Sequence, residues 1–393
     1  MRILILNTDY PKFLAQMYRD NPGLEKADYD AQMVARNDSL FGVADYYSRN
    51  FQALGHDAAE VHVNNRRMQS AWAGTHGLEA AAAEPDAAGA RARPSGGQAL
   101  RSLMRPFVAP LMSRLRPYRL AAWEANILAA QIANFRPDLI LNQEMGYIDN
   151  RTLATIKPNG VKLIGQIAAA LPEESDFSAY DLVISSLPNL VEWFRAHGVQ
   201  AEVNRLAFEP SILEKLGPAP ARDVDVSFVG SLSNVHKGRV RLLEQIAREV
   251  GLKIWGNGIE SLPPSSPLHA CYQGEAWGRD MYAVLRRSRI TINNHLDLAG
   301  PWANNMRLYE ATGMGTMLLT DAKQNLADIF VPGEEVATYG DVAECVAQIR
   351  RYLSDEPGRA AIAAAGQRKA IMVQNYAGRT AEIAALAHQL GAA

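Results

Sequence analysis

The chain opens with "MRILILNTDY", where four apolar residues, Ile3 to Leu6, run together before Asn7. A short continuous apolar run of this kind reads as a buried strand. Leu40, Ala44, Tyr47, Phe51 and Leu54 then recur at helical spacing, which predicts a helix capped at Asn37, Asp38 or Ser39 and stopped at Gly55. Ala58 to Val63 resume a strand, and a strand, helix, strand opening predicts a parallel sheet. The pattern repeats with a helix over Ala121 to Phe135, strands in "DLILNQ", "KLIGQI" and "DLVISS", and a helix from Leu187 to His197 that ends at Gly198. A second series begins at "VDVSFVGSL". It continues through a helix over Val240 to Val250, the strand "LKIWG", a helix over Met281 to Ser288, the strand "ITINNH", a helix from Met306 and the strand "TMLLTD". From Pro357 to Leu390 the text is Ala-rich and helical, without a further strand.

The two series are separated by "LEKLGPAPARD", whose Pro and Gly content suits an exposed linker. The division predicts two Rossmann-like, doubly wound α/β domains, residues 1–208 and 209–393. Open α/β sheets bind ligands beyond the carboxyl ends of their strands, so two such domains facing each other would share an interdomain cleft. Residues 73–98, beginning "AGTHGLEAAAAEPDAAG", hold few large apolar side chains and predict a mobile insertion, because little burial offsets the entropy of ordering them.

Charge narrows the function classes. Lys and Arg total 40 against 42 Asp and Glu, so no general basic field exists to hold nucleic acid. The only cysteines, Cys271 and Cys345, are too few for a disulfide framework and fit a reducing, cytoplasmic setting. No window of eighteen apolar residues occurs, which predicts a soluble or at most peripheral protein. One stretch is locally basic: residues 101–120, "RSLMRPFVAPLMSRLRPYRL", interleave five arginines with apolar residues and contain no acid. That composition suits contact with anionic lipid on the inner membrane face, and equally a basic linker, since its three prolines interrupt an amphipathic helix.

The densest candidate chemistry lies in "NMRLYEATGMGTMLLTD", Asn305 to Asp321. Asn304 and Asn305 are N-cap types, and a helix from Met306 would offer free amides and a positive dipole end to an anion. Arg307 and Glu310 share one helix face at i and i+3, as an ion pair or as two ends of a ligand site. Gly313 and Gly315 would let backbone approach a ligand. "FVGSLSNVHKGRV" adds a strand, Gly230, a polar loop, then Lys237 and Gly238 at a helix start, a geometry that offers amides to phosphate. It is neither a Walker loop nor a dinucleotide fingerprint. Asp223 and Asp225 have a D-x-D spacing but begin a strand, the end away from a ligand. "DLILNQEMGYID" ends a strand in Asn142, Gln143 and Glu144, making Glu144 a candidate base for an acceptor hydroxyl, with Asp45 a weaker one.

The segment from Asn305 through "ADIFVPGEEVATYGDVAECVAQIRRYL" resembles the CgeB-like glycosyltransferase domain family, a branch of the GT-B, group 1 type glycosyltransferases. By order of motifs the resemblance covers Val224 to Leu386. It implies that the second domain grips a nucleotide-sugar donor, with Glu310 on the ribose hydroxyls and Arg307 on the diphosphate. The chemistry agrees, since a carboxylate accepts two hydroxyl hydrogens and a guanidinium forks onto phosphate oxygens. Asn293, Asn294 and His295 resemble the family's Asn and His positions, with His295 on sugar or phosphate. The Lys237-Gly238 pair is similar to one that contacts the diphosphate in related transferases. Their accompanying arginine, expected near Ser231, is missing, which leaves His236 and Arg239 as substitutes. A second glutamate found eight positions before the ribose-binding one in related retaining enzymes is here Trp302. The implied activity moves a sugar from a nucleoside diphosphate to a hydroxyl of a glycan, lipid-linked saccharide or protein, with no cofactor and no metal. A nucleotide-sugar epimerase and a catalytically silent nucleotide- or glycan-binding relative are the alternatives.

Overall fold

The structure, a computed structural model, describes residues 1–78, 112–113, 120–169, 171–172, 176–232, 237–295 and 299–392, of which 112–113, 171–172 and 237 by backbone alone. Two compact units form, one of residues 1–204 with 380–393 and one of residues 205–379.

In chain order the first unit runs β1 (Arg2–Asn7), α1 (Pro11–Asp20), α2 (Tyr29–Asp38), α3 (Tyr46–Ala53), β2 (Asp57–His62), α4 (Arg66–Thr75), β3 (Met112–Ser113), α5 (Ala122–Phe135), β4 (Leu139–Asn142), α6 (Asn150–Ile156), β5 (Lys162–Gln166), β6 (Leu171–Pro172), β7 (Leu182–Ser185), α7 (Pro188–Ala196) and β8 (Ala201–Val203). Its main sheet has the order β2-β1-β4-β5-β7-β8, with every pairing parallel. Ile3 to Leu6 and Leu139 to Asn142 are buried on both faces, which is why they read as unbroken runs rather than alternations.

The second unit continues with α8 (Ser211–Leu216), β9 (Val224–Val229), α9 (Lys237–Glu249), β10 (Lys253–Trp255), α10 (Leu268–Cys271), α11 (Gly278–Arg287), β11 (Ser288–Asn293), α12 (Met306–Gly313), β12 (Met317–Asp321), β13 (Ala337–Tyr339), α13 (Val342–Ser354) and α14 (Glu356–Met372). The last helix, α15 (Tyr376–Gln389), starts in the second unit and ends in the first. The sheet order β10-β9-β11-β12-β13 is again wholly parallel. Val226, Phe228, Ile290, Ile292, Met317 and Leu319 supply its core against Leu243 and Ile246 of α9 and Ile349 of α13. In each unit the strand direction of build-up reverses beside the first strand, at β1 and β4 in one and at β9 and β11 in the other. Those are the switch points where a doubly wound sheet opens a crevice at its carboxyl edge.

Several expectations are revised. The helical spacing from Leu40 to Leu54 is not one helix: Asn37 and Asp38 end α2, and Leu40 and Ala44 take φ of 58° and 40°, so α3 starts only at Tyr46. Left-handed backbone at two non-glycine residues cannot continue a helix. The helix α4 runs through Thr75 with Ala73 fully buried, so ordered structure extends past the expected start of the insertion. Residues 79–98 and most of the basic stretch 101–120 lie outside the described residues. The expected cut at 208 falls near the observed one after Asn204, while residues 380–393 group with the first unit.

Candidate functional site

At the switch point of the second unit, the carboxyl ends of β9 and β11 are tied together by arginines. Arg239, in the first turn of α9, donates from Nη1 to the Ser231 carbonyl (3.3 Å) and from Nη2 to the Asn294 carbonyl (2.8 Å). Arg307, in the first turn of α12, donates from Nε to the Val229 carbonyl at 3.2 Å. The expected cap is present: Asn305 Oδ1 accepts the Leu308 amide at 3.2 Å. That cap is itself held, because Asn305 Nδ2 donates to Asn293 Oδ1 (2.6 Å) and Asn293 Nδ2 donates to Thr320 Oγ1 (2.9 Å). Asn293 is therefore a strut between β11, β12 and the start of α12.

Arg307 and Glu310 do meet, with Nη1 and Oε2 2.8 Å apart, but their side chains are only 14% and 9% exposed. This is not the weak surface pair of an ordinary helix face. The contact is short in distance yet poorly aligned, since Arg307 Nη1 has no hydrogen-bond partner among the described residues. Burial pushes the Glu310 carboxyl up, opposed by the Arg307 charge and a hydrogen bond from Tyr282. The pair thus holds a buried carboxylate near a cation with an N–H to spare, an arrangement suited to a ligand that carries both hydroxyls and an anion.

His295, two residues past β11, is buried, and its Nδ1 lies 2.6 Å from Asp321 Oδ1 at the end of β12. The same oxygen accepts the His295 amide at 3.0 Å, and Lys323 Nζ stands 3.4 Å from Oδ2. Burial raises the Asp321 carboxyl, but the His295 contacts and the Lys323 charge together hold it below the usual carboxylate range. Asp321 was missed by sequence reasoning although "TMLLTD" ends on it.

Other expectations resolve differently. Gly230 has no spare amide, because its N–H donates to the Trp255 carbonyl at 2.9 Å. Gly313 and Gly315 serve packing rather than ligand approach: a Cβ at Gly313 would stand 2.4 Å from the Phe208 ring, and Gly315 turns the chain at φ 69° against Gln367. Lys237 begins α9, but its side chain, like all of His236, is outside the described residues. Asp223 and Asp225 each pair with an arginine, Arg287 and Arg289. Among the described residues no three His, Cys, Asp or Glu side chains converge as metal ligands.

Glu144 belongs to the first unit. It follows β4 at that unit's switch point, where the Thr8 hydroxyl, just past β1, donates to its Oε2 at 3.1 Å. Beside it Gln143 Nε2 donates to Gln166 Oε1 (2.6 Å) and Gln166 Nε2 to the Tyr47 hydroxyl (2.9 Å), a polar chain along the carboxyl edge. Asp45 is paired with Arg49 one helical turn on.

The first unit also holds a buried charged quartet that no motif announced. Asp9, Arg36, Glu60 and His62 are 2%, 2%, 7% and 0% exposed. Arg36 Nη2 and Nε donate to Asp9 Oδ1 at 2.7 and 3.1 Å, and His62 lies 3.1 Å from Asp9 Oδ2 and 3.9 Å from Glu60 Oε2. Burial alone would raise Asp9, but His62 and Arg36 together hold it far below the usual range. Burial and the Arg36 charge lower His62. Burial pushes Glu60 up to about 7, with Arg36 and the Ser48 amide opposing.

Residues 239–385 match a family described as glycosyl transferase-like. No curated protein matches the chain. Among solved structures, AviGT4, a glycosyltransferase involved in avilamycin A biosynthesis, is 16% identical at a TM-score of 0.56, covering 100% of this chain and 99% of its own. Anabaena Alr3699/HepE, solved with UDP and glucose, is 13% identical at 0.57, covering 99% and 100%. Sucrose-phosphate synthase from Thermosynechococcus elongatus is 12% identical at 0.55, covering 100% and 99%. The fold is GT-B, two Rossmann-like units. Identities this low carry the fold and nothing further. Among the described residues, no helix of this GT-B chain is long and apolar enough to cross a membrane.

Proposed function

We propose that this GT-B protein transfers a sugar from a nucleoside diphosphate donor to a hydroxyl acceptor. The observation that carries the reading is the Arg307–Glu310 pair at the start of α12, where a partly buried guanidinium whose Nη1 has no hydrogen-bond partner among the described residues lies beside a buried carboxylate at the switch point of the second unit. Arg307 forks onto the diphosphate and stabilises the charge that develops on it as the sugar leaves, the electrostatic term that is usually the largest in such catalysis. Glu310 accepts from the ribose hydroxyls. Lys237 adds charge to the diphosphate, while Asn293 and Asn305 hold the helix that presents Arg307. Glu144, with its carboxylate next to Thr8, is the acceptor-side base if configuration inverts; with retention the leaving diphosphate takes the acceptor proton. The match to a glycosyl transferase-like family over the residues that contain this site supports the reading, as does a structural neighbour that binds UDP and glucose.

No metal enters this scheme, and the acceptor is a glycan, a lipid-linked saccharide or a protein. The basic stretch 101–120 adds contact with anionic lipid, which co-sedimentation with charged and neutral liposomes at rising salt tests. The decisive experiment is a thermal-shift panel of UDP, GDP, dTDP, CMP and ADP with and without EDTA. A ligand bound only by the native state at 100 times its Kd adds about 2.7 kcal/mol. A shift with one of them that survives EDTA is expected. No shift with any sinks the donor reading, a shift lost on chelation sinks the metal-free one, and binding without turnover of the matching nucleotide sugars points to a silent relative.

A further inference from the structure

We propose that Asp321 is a positioning residue for the donor's sugar: by taking the Nδ1–H of His295 it leaves the Nε2 lone pair as the acceptor for a sugar hydroxyl. The proposal rests on the nucleotide-sugar reading above and adds to it a residue and a tautomer.

The geometry starts from the sheet. Strands β11 and β12 pair in parallel with Asn293 opposite Thr320, so His295, two residues past β11, and Asp321, the last residue of β12, emerge side by side at the carboxyl edge. Asp321 Oδ1 receives both the backbone amide and Nδ1 of His295, at 3.0 and 2.6 Å. An ionised carboxylate only accepts, so Nδ1 is the protonated ring nitrogen, and in the neutral ring Nε2 is then an acceptor. The double contact fixes both the tautomer and the plane of the ring.

Nε2 is buried and has no hydrogen-bond partner among the described residues. A buried acceptor left without a donor is unfavourable, and a hydroxyl from a bound ligand removes that penalty. Neighbouring polar groups do not compete for this role. The Asn293 amide is engaged at both ends by Thr320 and Asn305, and the Asn293 carbonyl accepts the Tyr339 hydroxyl at 2.7 Å. The edge therefore pairs a guanidinium suited to phosphate, on Arg307, with a His295 Nε2 that has no partner among the described residues and, in the neutral ring, is an acceptor suited to a hydroxyl.

Selective 15N labelling of histidine in the full chain, with His295→Gln to assign the ring, reads the tautomer directly. His295 is expected protonated at Nδ1 and bare at Nε2. Its Nε2 resonance should move on addition of whichever of UDP-glucose, UDP-N-acetylglucosamine, GDP-mannose or dTDP-glucose binds, and stay in place with UDP, GDP or dTDP alone. By calorimetry, Asp321→Asn should weaken that nucleotide sugar about tenfold, the scale of one hydrogen bond, and leave the bare diphosphate within about twofold. Equal losses for both ligands would mark a structural role only and overturn the proposal. So would a wild-type His295 protonated at Nε2, or a nucleotide sugar that binds without moving that resonance. If Asp321→Asn does not fold, the wild-type spectra decide alone. A chain that binds none of these nucleotides overturns the donor reading and the proposal with it, a result distinct from binding with an unmoved resonance.

Discussion

The two units share a strand plan and bury their charge to different depths. Each winds outward from its first strand and reverses beside it, at β1 and β4 or at β9 and β11. In the first unit the charges just beyond β1, in α2 and in β2 are gathered away from water: Asp9, Arg36, Glu60 and His62 form a buried quartet in which Asp9 Oδ2, Arg36 Nη1, Glu60 Oε2 and both His62 ring nitrogens have charged neighbours but no well-aligned hydrogen bond among the described residues. In the second unit Arg307 Nη1 and His295 Nε2 likewise lack hydrogen-bond partners among the described residues, but the Arg307 and Glu310 side chains keep 14% and 9% of their exposure. A sheet edge can thus serve as a foundation or as a recognition surface, and the difference lies in whether its charges are closed off among one another, as in the quartet, or keep some exposure, as at Arg307.

That contrast breaks most visibly at Arg36. Arg36→Met leaves Asp9 buried without its main cation, and removal of one partner from a buried pair costs about 3 to 5 kcal/mol. Chemical denaturation should show that loss, while nucleotide affinity of the folded variant stays unchanged; a near-neutral variant would mean the quartet is not a foundation. The next effect depends on pH. Glu60 titrates at about 7 in the folded protein against an ordinary 4.5, so between those values the native state keeps a proton that the unfolded chain has released. Stability from this group is full below 4.5 and is lost as pH rises through 7. His62 is lowered and acts with the opposite sign, adding stability as pH rises toward 6.5 and losing it as pH falls. Glu60→Gln removes only the first arm. It should be more stable than wild type by up to about 3 kcal/mol at pH 8, at roughly 1.36 kcal/mol per pH unit, and the advantage should vanish by about pH 4.5. Melting curves across pH check this, and equal pH profiles would refute it.

In the second unit the larger effect should fall on ligand rather than stability. Glu310→Gln should weaken the best nucleoside diphosphate by about 1.5 to 3 kcal/mol, the range for hydrogen bonds to a charged group, with a small change in melting temperature. Titration calorimetry that finds unchanged affinity would return Arg307 and Glu310 to scaffold. The smallest effect should be common to both units. Arg195→Ala, which removes an exposed pair with Glu202, and Arg289→Ala, which does so with Asp225, should each cost less than about 1 kcal/mol. A larger loss at either would show that surface charge, and not only the switch-point edges, separates the units.

The central strands were legible because parallel strands covered on both faces write themselves as apolar runs, as at Ile3, Leu139, Leu182 and Leu318. Turn geometry was not: Leu40 and Ala44 continue a helical period while their backbone leaves the helix, and periodicity carries no sign of φ. The strand β13 is three residues long, too short for its pattern to rise above the surrounding text. In the site, Arg307, Glu310 and the Asn305 cap lie within six consecutive residues and could be read together. Asp321 could not be joined to His295 without knowing that β11 and β12 are neighbours in register. The quartet draws Asp9 from the loop after β1, Arg36 from α2 and Glu60 and His62 from β2, and only tertiary packing brings them into contact.

Gly256 sits at φ 149°, and a Cβ built there would stand 1.9 Å from the carbonyl oxygen of Gly230, the residue that follows β9. Main chain touches main chain at that point, with no side chain whose rotation could relieve an intrusion. For anyone diversifying this protein, position 256 is consequently closed to every residue but glycine, and libraries that randomise it will return unfolded clones irrespective of the ligand sought. New specificity in this unit has to come from exchangeable side chains elsewhere, such as those around α12 and past β11, rather than from position 256.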